Sequence, residues 1–162
     1  MNKLTPLIKG IITGVVMVIV SLVLYYSEIP VESNLHYAIY ILYAIGIGWA
    51  LISYSRSAFF TGKFVDLFGQ GFRCFIVVTL MMVAFTAIFS MQHPEFAEEA
   101  ANYYKEDLIK EKNKTPEEIE KLVANAKKQY TTGLVSLTIF GYLITGAVFT
   151  AAGSALLLMR RK

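Results

Sequence analysis

The sequence predicts an all-α fold, a polytopic membrane protein with four transmembrane helices and an external αα-hairpin between the third and the fourth. Three observations lead there. Four stretches, Ile11 to Ser27, Leu35 to Ser55, Cys74 to Gln92 and Tyr130 to Met159, contain no Asp, Glu, Lys or Arg. Each is long enough to cross a hydrocarbon layer of roughly 30 Å as a helix, the form in which a single segment satisfies its own backbone in lipid. The acids are sorted: if the stretches alternate across a bilayer, Glu28, Glu32 and the nine carboxylates from Glu95 to Glu120 share one side and Asp66 stands on the other. Composition agrees, since 56% hydrophobic and 17% charged residues exceed the apolar balance of a soluble domain.

The first span is expected over residues 8–27. Its basic start and apolar run resemble a secretory leader, but Leu22 to Ile29 holds no small-x-small cleavage site, so the segment is expected to stay as an anchor. Tyr25 and Tyr26 close this span, and Tyr37 and Tyr54 bracket the second, 35–55, at the headgroup level that amphipathic rings favour. Residues 57–72 are expected as a cytoplasmic interfacial segment. Phe60, Phe64, Leu67 and Phe68 recur there at helical spacing, with Lys63, Asp66 and Gln70 elsewhere, which suits a helix lying among headgroups or an aromatic docking surface. The third span follows at 73–92.

An external helical hairpin is expected over 94–130. Pro94 can open a helix with Ala97, Ala101, Tyr104 and Leu108 on one stripe, and Asn113 and Lys114 interrupt it. Thr115-Pro116-Glu117-Glu118 then places a hydroxyl at the N-cap, a proline at the first helical position and a glutamate three residues past the cap, the pattern of a capping box. Ile119, Leu122, Val123, Ala126 and Tyr130 form the next stripe, leading into the fourth span, 133–159.

Orientation follows from Lys and Arg near the span ends, which are retained on the cytoplasmic side during insertion. Lys3, Lys9, Arg56, Lys63, Arg73, Arg160, Arg161 and Lys162, eight in all, fall on one face. The long loop carries seven lysines against nine carboxylates, as a translocated segment would. Both termini are therefore expected in the cytoplasm of a bacterial inner membrane. The net charge of +3 sums two opposed faces and points to no nucleic acid, and the lone Cys74 excludes an internal disulfide.

Small residues mark where helices meet or a partner docks. Gly10 and Gly14 form G-x-x-x-G in the first span, Gly46 and Gly48 accompany Ala44 and Ala50 in the second, and Gly146 and Gly153 accompany Ala147, Thr150 and Ala151 in the fourth. Tyr37, Tyr40 and Tyr43, with Trp49 below, are candidates for a groove that takes a lipid or isoprenoid chain. His36 and His93, with Glu28, Glu32 and Glu95, have metal-ligating chemistry. No i,i+4 histidine pair or HExxH pattern orders them, and they read as boundary residues. No catalytic residue, cofactor or metal site is assigned, and the span interiors carry none of the ionisable groups on which coupled transport relies.

Phe68-Gly69-Gln70-Gly71-Phe72-Arg73-Cys74-Phe75, His93-Pro94-Glu95-Phe96, Thr115-Pro116-Glu117-Glu118-Ile119-Glu120 and the Arg160-Arg161-Lys162 tail resemble the bacterial four-span family called domain of unknown function 4199, of Bacteroidota type. The resemblance covers nearly the whole chain and implies an inner-membrane protein without an assigned activity, linked to lipid-linked sugar transfer. It carries no catalytic residue over.

Two functions fit. The first is a non-catalytic accessory or scaffold subunit of an inner-membrane complex, with membrane lipids and a protein partner or a second copy as its contacts. The second is a small carrier or flippase for an amphipathic or lipid substrate, with the tyrosines of the second span along the path. A membrane enzyme ranks below both.

Overall fold

The computed structural model describes residues 4–27, 34–111 and 114–160, with only the backbone of His36. Lys3, Glu28, Glu32, Lys112, Asn113, Arg161 and Lys162, and the side chain of His36, on which parts of the charge and metal reasoning rest, lie outside the described residues. Five α-helices are described: α1 (Pro6–Tyr26), α2 (Tyr37–Ser55, entered through a 3₁₀ turn Asn34–His36), α3 (Phe64–Gln92), α4 (Glu95–Glu111) and α5 (Pro116–Met159). Four of them, α1, α2, α3 and α5, are long and apolar enough to cross a membrane. This is an all-α, multi-pass membrane architecture.

Local chemistry starts the helices. Thr5 caps α1, its Oγ1 accepting from the Ile8 N–H at 3.3 Å, and Pro6 occupies the first turn, where a missing N–H costs nothing. Before α3 the chain turns at Gly62, whose φ of +80° is a conformation that glycine tolerates best. The Thr61 hydroxyl donates to the Asp66 carboxylate, and Asp66 sits in the first turn of α3, where the helix dipole favours an acid.

Residues 64–72, within the segment 57–72 expected at the interface, are helical and continuous with the third span in α3. The physical reason is a single buried stripe. Leu67, Gly71, Cys74, Phe75, Val78 and Met82 recur at three- and four-residue spacing and are all buried, while Phe64 and Val65 at the start of the helix stay exposed.

The chain divides into two compact units, residues 1–82 with 139–162, and residues 83–138. The helices α3 and α5 contribute to both. In the first unit, α1 and α5 each touch both α2 and α3 through contacts detailed below.

The second unit joins the apolar end of α3 to the polar helix α4 and the first part of α5. Ala101, Leu108 and Ile119 are its buried apolar residues, whereas Tyr104, expected on the same stripe, is 41% exposed. Lys127 pairs with Glu98 at 2.5 Å between α5 and α4, and the Ser90 hydroxyl lies 3.3 Å from that of Thr131 between α3 and α5. The capping box is formed: the Thr115 N–H donates to Glu118 Oε2 at 2.9 Å and the Glu118 N–H to Thr115 Oγ1 at 3.4 Å. From that cap α5 runs unbroken to Met159.

Candidate functional site

The first unit is closed by glycines that let backbones approach. A carbon added at Gly10 would lie 2.7 Å from the Cys74 carbonyl oxygen and 3.0 Å from Val77 Cβ, and one at Gly14 would lie 2.7 Å from the Met81 sulfur. Gly10 and Gly14 thus seat α1 on α3. Gly46 receives Thr13, joining α2 to α1, and the Cys74 thiol reaches the Gly46 carbonyl at 3.8 Å, joining α3 to the same point. Gly146 lies against the Tyr43 hydroxyl and the Phe75 ring, and a carbon at Gly153 would lie 2.8 Å from Leu51. Such contacts replace the hydrophobic drive that lipid cannot supply between helices.

Gly48, grouped with Gly46 by sequence, faces open space. Two residues along a helix turn the side-chain direction by about 200°, so both cannot enter the same seam. Gly71, in the segment expected at the interface, holds a seam of its own: Thr150 and Leu51 pack where its side chain would be. The signal for it was the i,i+4 continuity from Leu67 through Gly71 to Phe75. Thr150 and Ser154 are fully buried on α5, with hydroxyls that have no hydrogen-bond partner.

The three tyrosines separate. Tyr43 is fully buried in the core; its hydroxyl donates to the Tyr142 carbonyl at 3.0 Å and lies 3.5 Å from Thr79 Oγ1, and its ring meets Tyr142 and Phe149 edge-on at 5.3 and 6.4 Å. Tyr37 and Tyr40 face outward and, with Ile41, Ala44, Ile45 and Phe149, line an open apolar groove of about 430 Å³. Tyr40 is held there by stacking on Tyr142 at 6.0 Å. Sequence put all three in one groove because they share a helix. Spacings of three and six residues place Tyr40 and Tyr43 on overlapping but distinct faces.

Lys9 was expected as a boundary charge. It is buried, with its ammonium 5.5 Å from the centre of the Trp49 ring, the one cation–π contact among the described residues. In the second unit His93 Nδ1 lies 2.6 Å from Glu95 Oε1, and the His93 ring lies 4.5 Å from that of Phe89, tilted by 39°. The Glu95 backbone N–H, then His93, hold the Glu95 carboxyl below the usual carboxylate range. Among the described residues no three His, Cys, Asp or Glu side chains converge on a common point.

A four-span helical membrane protein, with its bundle drawn together at glycines around a buried tyrosine and an apolar groove on its flank, is the class that this geometry defines. The chain belongs to the family described as protein of unknown function (DUF4199), whose model matches residues 9–160. No curated protein and no solved structure matches it.

Proposed function

We propose that the protein is a non-catalytic accessory or scaffold subunit of a bacterial inner-membrane complex, with both termini in the cytoplasm. The partner, on the family resemblance, belongs to lipid-linked sugar transfer. One observation carries the reading: the centre of the bundle is filled, with Tyr43 tied by its hydroxyl to Tyr142 and pressed against Gly146 where a substrate path between α2, α3 and α5 would have to run. A rigid interior favours a protein that holds others in place.

The carrier reading stands second, supported by the groove at Tyr37 and Tyr40. Paired substitutions separate the two. Under the scaffold reading, Tyr40→Phe with Tyr37→Phe leaves complex size in mild detergent and the cell-envelope phenotype unchanged. Loss of phenotype in a correctly assembled protein would favour the carrier. For orientation, a cysteine replacing Lys63 should be shielded from an impermeant thiol reagent in intact cells stripped of outer membrane, and one replacing Glu117 should react. The opposite pattern would invert the topology.

A further inference from the structure

The connection between α2 and α3 is a built loop that presents bare hydrophobic side chains beside cations. The Tyr54 hydroxyl donates to the Phe59 carbonyl at 3.2 Å, and the Tyr54 ring meets Phe60 edge-on at 5.7 Å, so the loop backbone is pinned to the end of α2. Thr61 and Asp66 tie its other end to α3. Held this way, Phe59 is 82% exposed, the highest value among the described large hydrophobic side chains, and Val65 is 75% exposed. Phe64 is also exposed, stacked on Phe68. Around them stand the exposed Arg56 and Lys63, while the acid of the segment, Asp66, is engaged by Thr61.

We infer that this loop is a docking site for anionic phospholipid headgroups, with Phe59 inserted among the acyl chains and Arg56 and Lys63 on the phosphates. The occupant follows from place and charge. The loop joins two helices that can each cross a membrane, so it lies at a bilayer surface whichever way the chain is oriented. A phenyl ring fixed outward gains by leaving water there, and Arg56 and Lys63, which form no ion pair among the described residues, outnumber Asp66 and complement a negative surface. The site does not depend on the scaffold reading.

The probe is the full chain in lipid nanodiscs containing brominated phosphatidylglycerol or, at the same mole fraction, brominated phosphatidylcholine. The reporter is the tryptophan introduced by Phe59→Trp, in a Trp49→Phe background. Its fluorescence should be quenched by both lipids, and several-fold more strongly by the glycerol lipid, because each basic residue near an anionic surface adds to the attraction. Arg56→Gln with Lys63→Gln should equalise the two. Equal quenching before those substitutions removes the anionic preference, and no quenching by either lipid means that the loop meets water or protein; both outcomes overturn the site. A second measurement leaves Trp49 and Phe59 intact: phosphatidylglycerol retained per chain after detergent purification should fall in the Arg56→Gln, Lys63→Gln protein, and unchanged retention counts against the proposal.

Discussion

The two compact units of this chain are held together by opposite means. In the first, stability rests on what is missing: side chains absent at Gly10, Gly14, Gly46, Gly71, Gly146 and Gly153 let neighbouring helices come within van der Waals contact. In the second it rests on what is added, namely a reciprocal cap at Thr115 and Glu118, a Lys127–Glu98 pair and the buried Ala101, Leu108 and Ile119. Lipid explains the difference. Burial gains little between helices already in hydrocarbon, so close fit must hold the first unit, whereas polar helices need caps and pairs to fix their ends and faces. Substitution at a seam should therefore be global in effect, and substitution in the second unit local.

The largest effect should come from Gly146→Leu, which drives a side chain into the Tyr43 hydroxyl and the Phe75 ring. Overpacking of this kind costs about 1–3 kcal/mol or more, and thermal unfolding in detergent should shift sharply downward. Gly48→Leu, facing open space, should leave it unchanged; similar losses at both positions would break the comparison. Next in size, Thr115→Ala should cost about 0.5–2 kcal/mol. The loss should appear as faster amide exchange confined to the first turns of α5, with the bundle unaffected.

A smaller loss, about 0.5–1.5 kcal/mol, is expected for Tyr43→Phe, since the ring still fills its site and one buried hydrogen bond to Tyr142 disappears. Unfolding in detergent checks it. The smallest effect concerns acid. Glu95 has a lowered folded-state pKa, so its contribution to stability is present above the ordinary carboxylate value of about 4.3 and is lost as pH falls through the lower folded value. Carbon NMR of the Glu95 carboxyl should titrate below that ordinary value. His93→Ala should move the midpoint only part of the way back, because the backbone N–H of Glu95 is the larger cause.

Much of the fold was legible because lipid imposes simple rules. Charge-free stretches became α1, α2 and the apolar parts of α3 and α5, and Thr115-Pro116-Glu117-Glu118 became a formed cap. The start of α3 was not legible. Lys63, Asp66, Gly62, Gly69 and Gly71 broke the apolar run, and a stripe of phenylalanines reads alike whether it faces headgroups or a helix; the structure buries Leu67 and Gly71 and leaves Phe64 exposed. The glycine pattern located seams but not which member of a close pair enters them, as Gly46 and Gly48 illustrate. The groove was half visible: Tyr37 and Tyr40 line it, while Ala44, Ile45 and Phe149 carry no signature of their own.

Lys9 over Trp49 has an optical consequence. Trp49 is the sole tryptophan of the chain, so emission excited at wavelengths that tyrosine does not absorb comes from one indole, placed where α1 meets α2. A positive charge near an indole changes the energy gap between its ground and excited states. The colour of that emission thus reads, without any label, whether the first helix is seated on the second, and a shift in wavelength would record its departure before the rest of the protein comes apart.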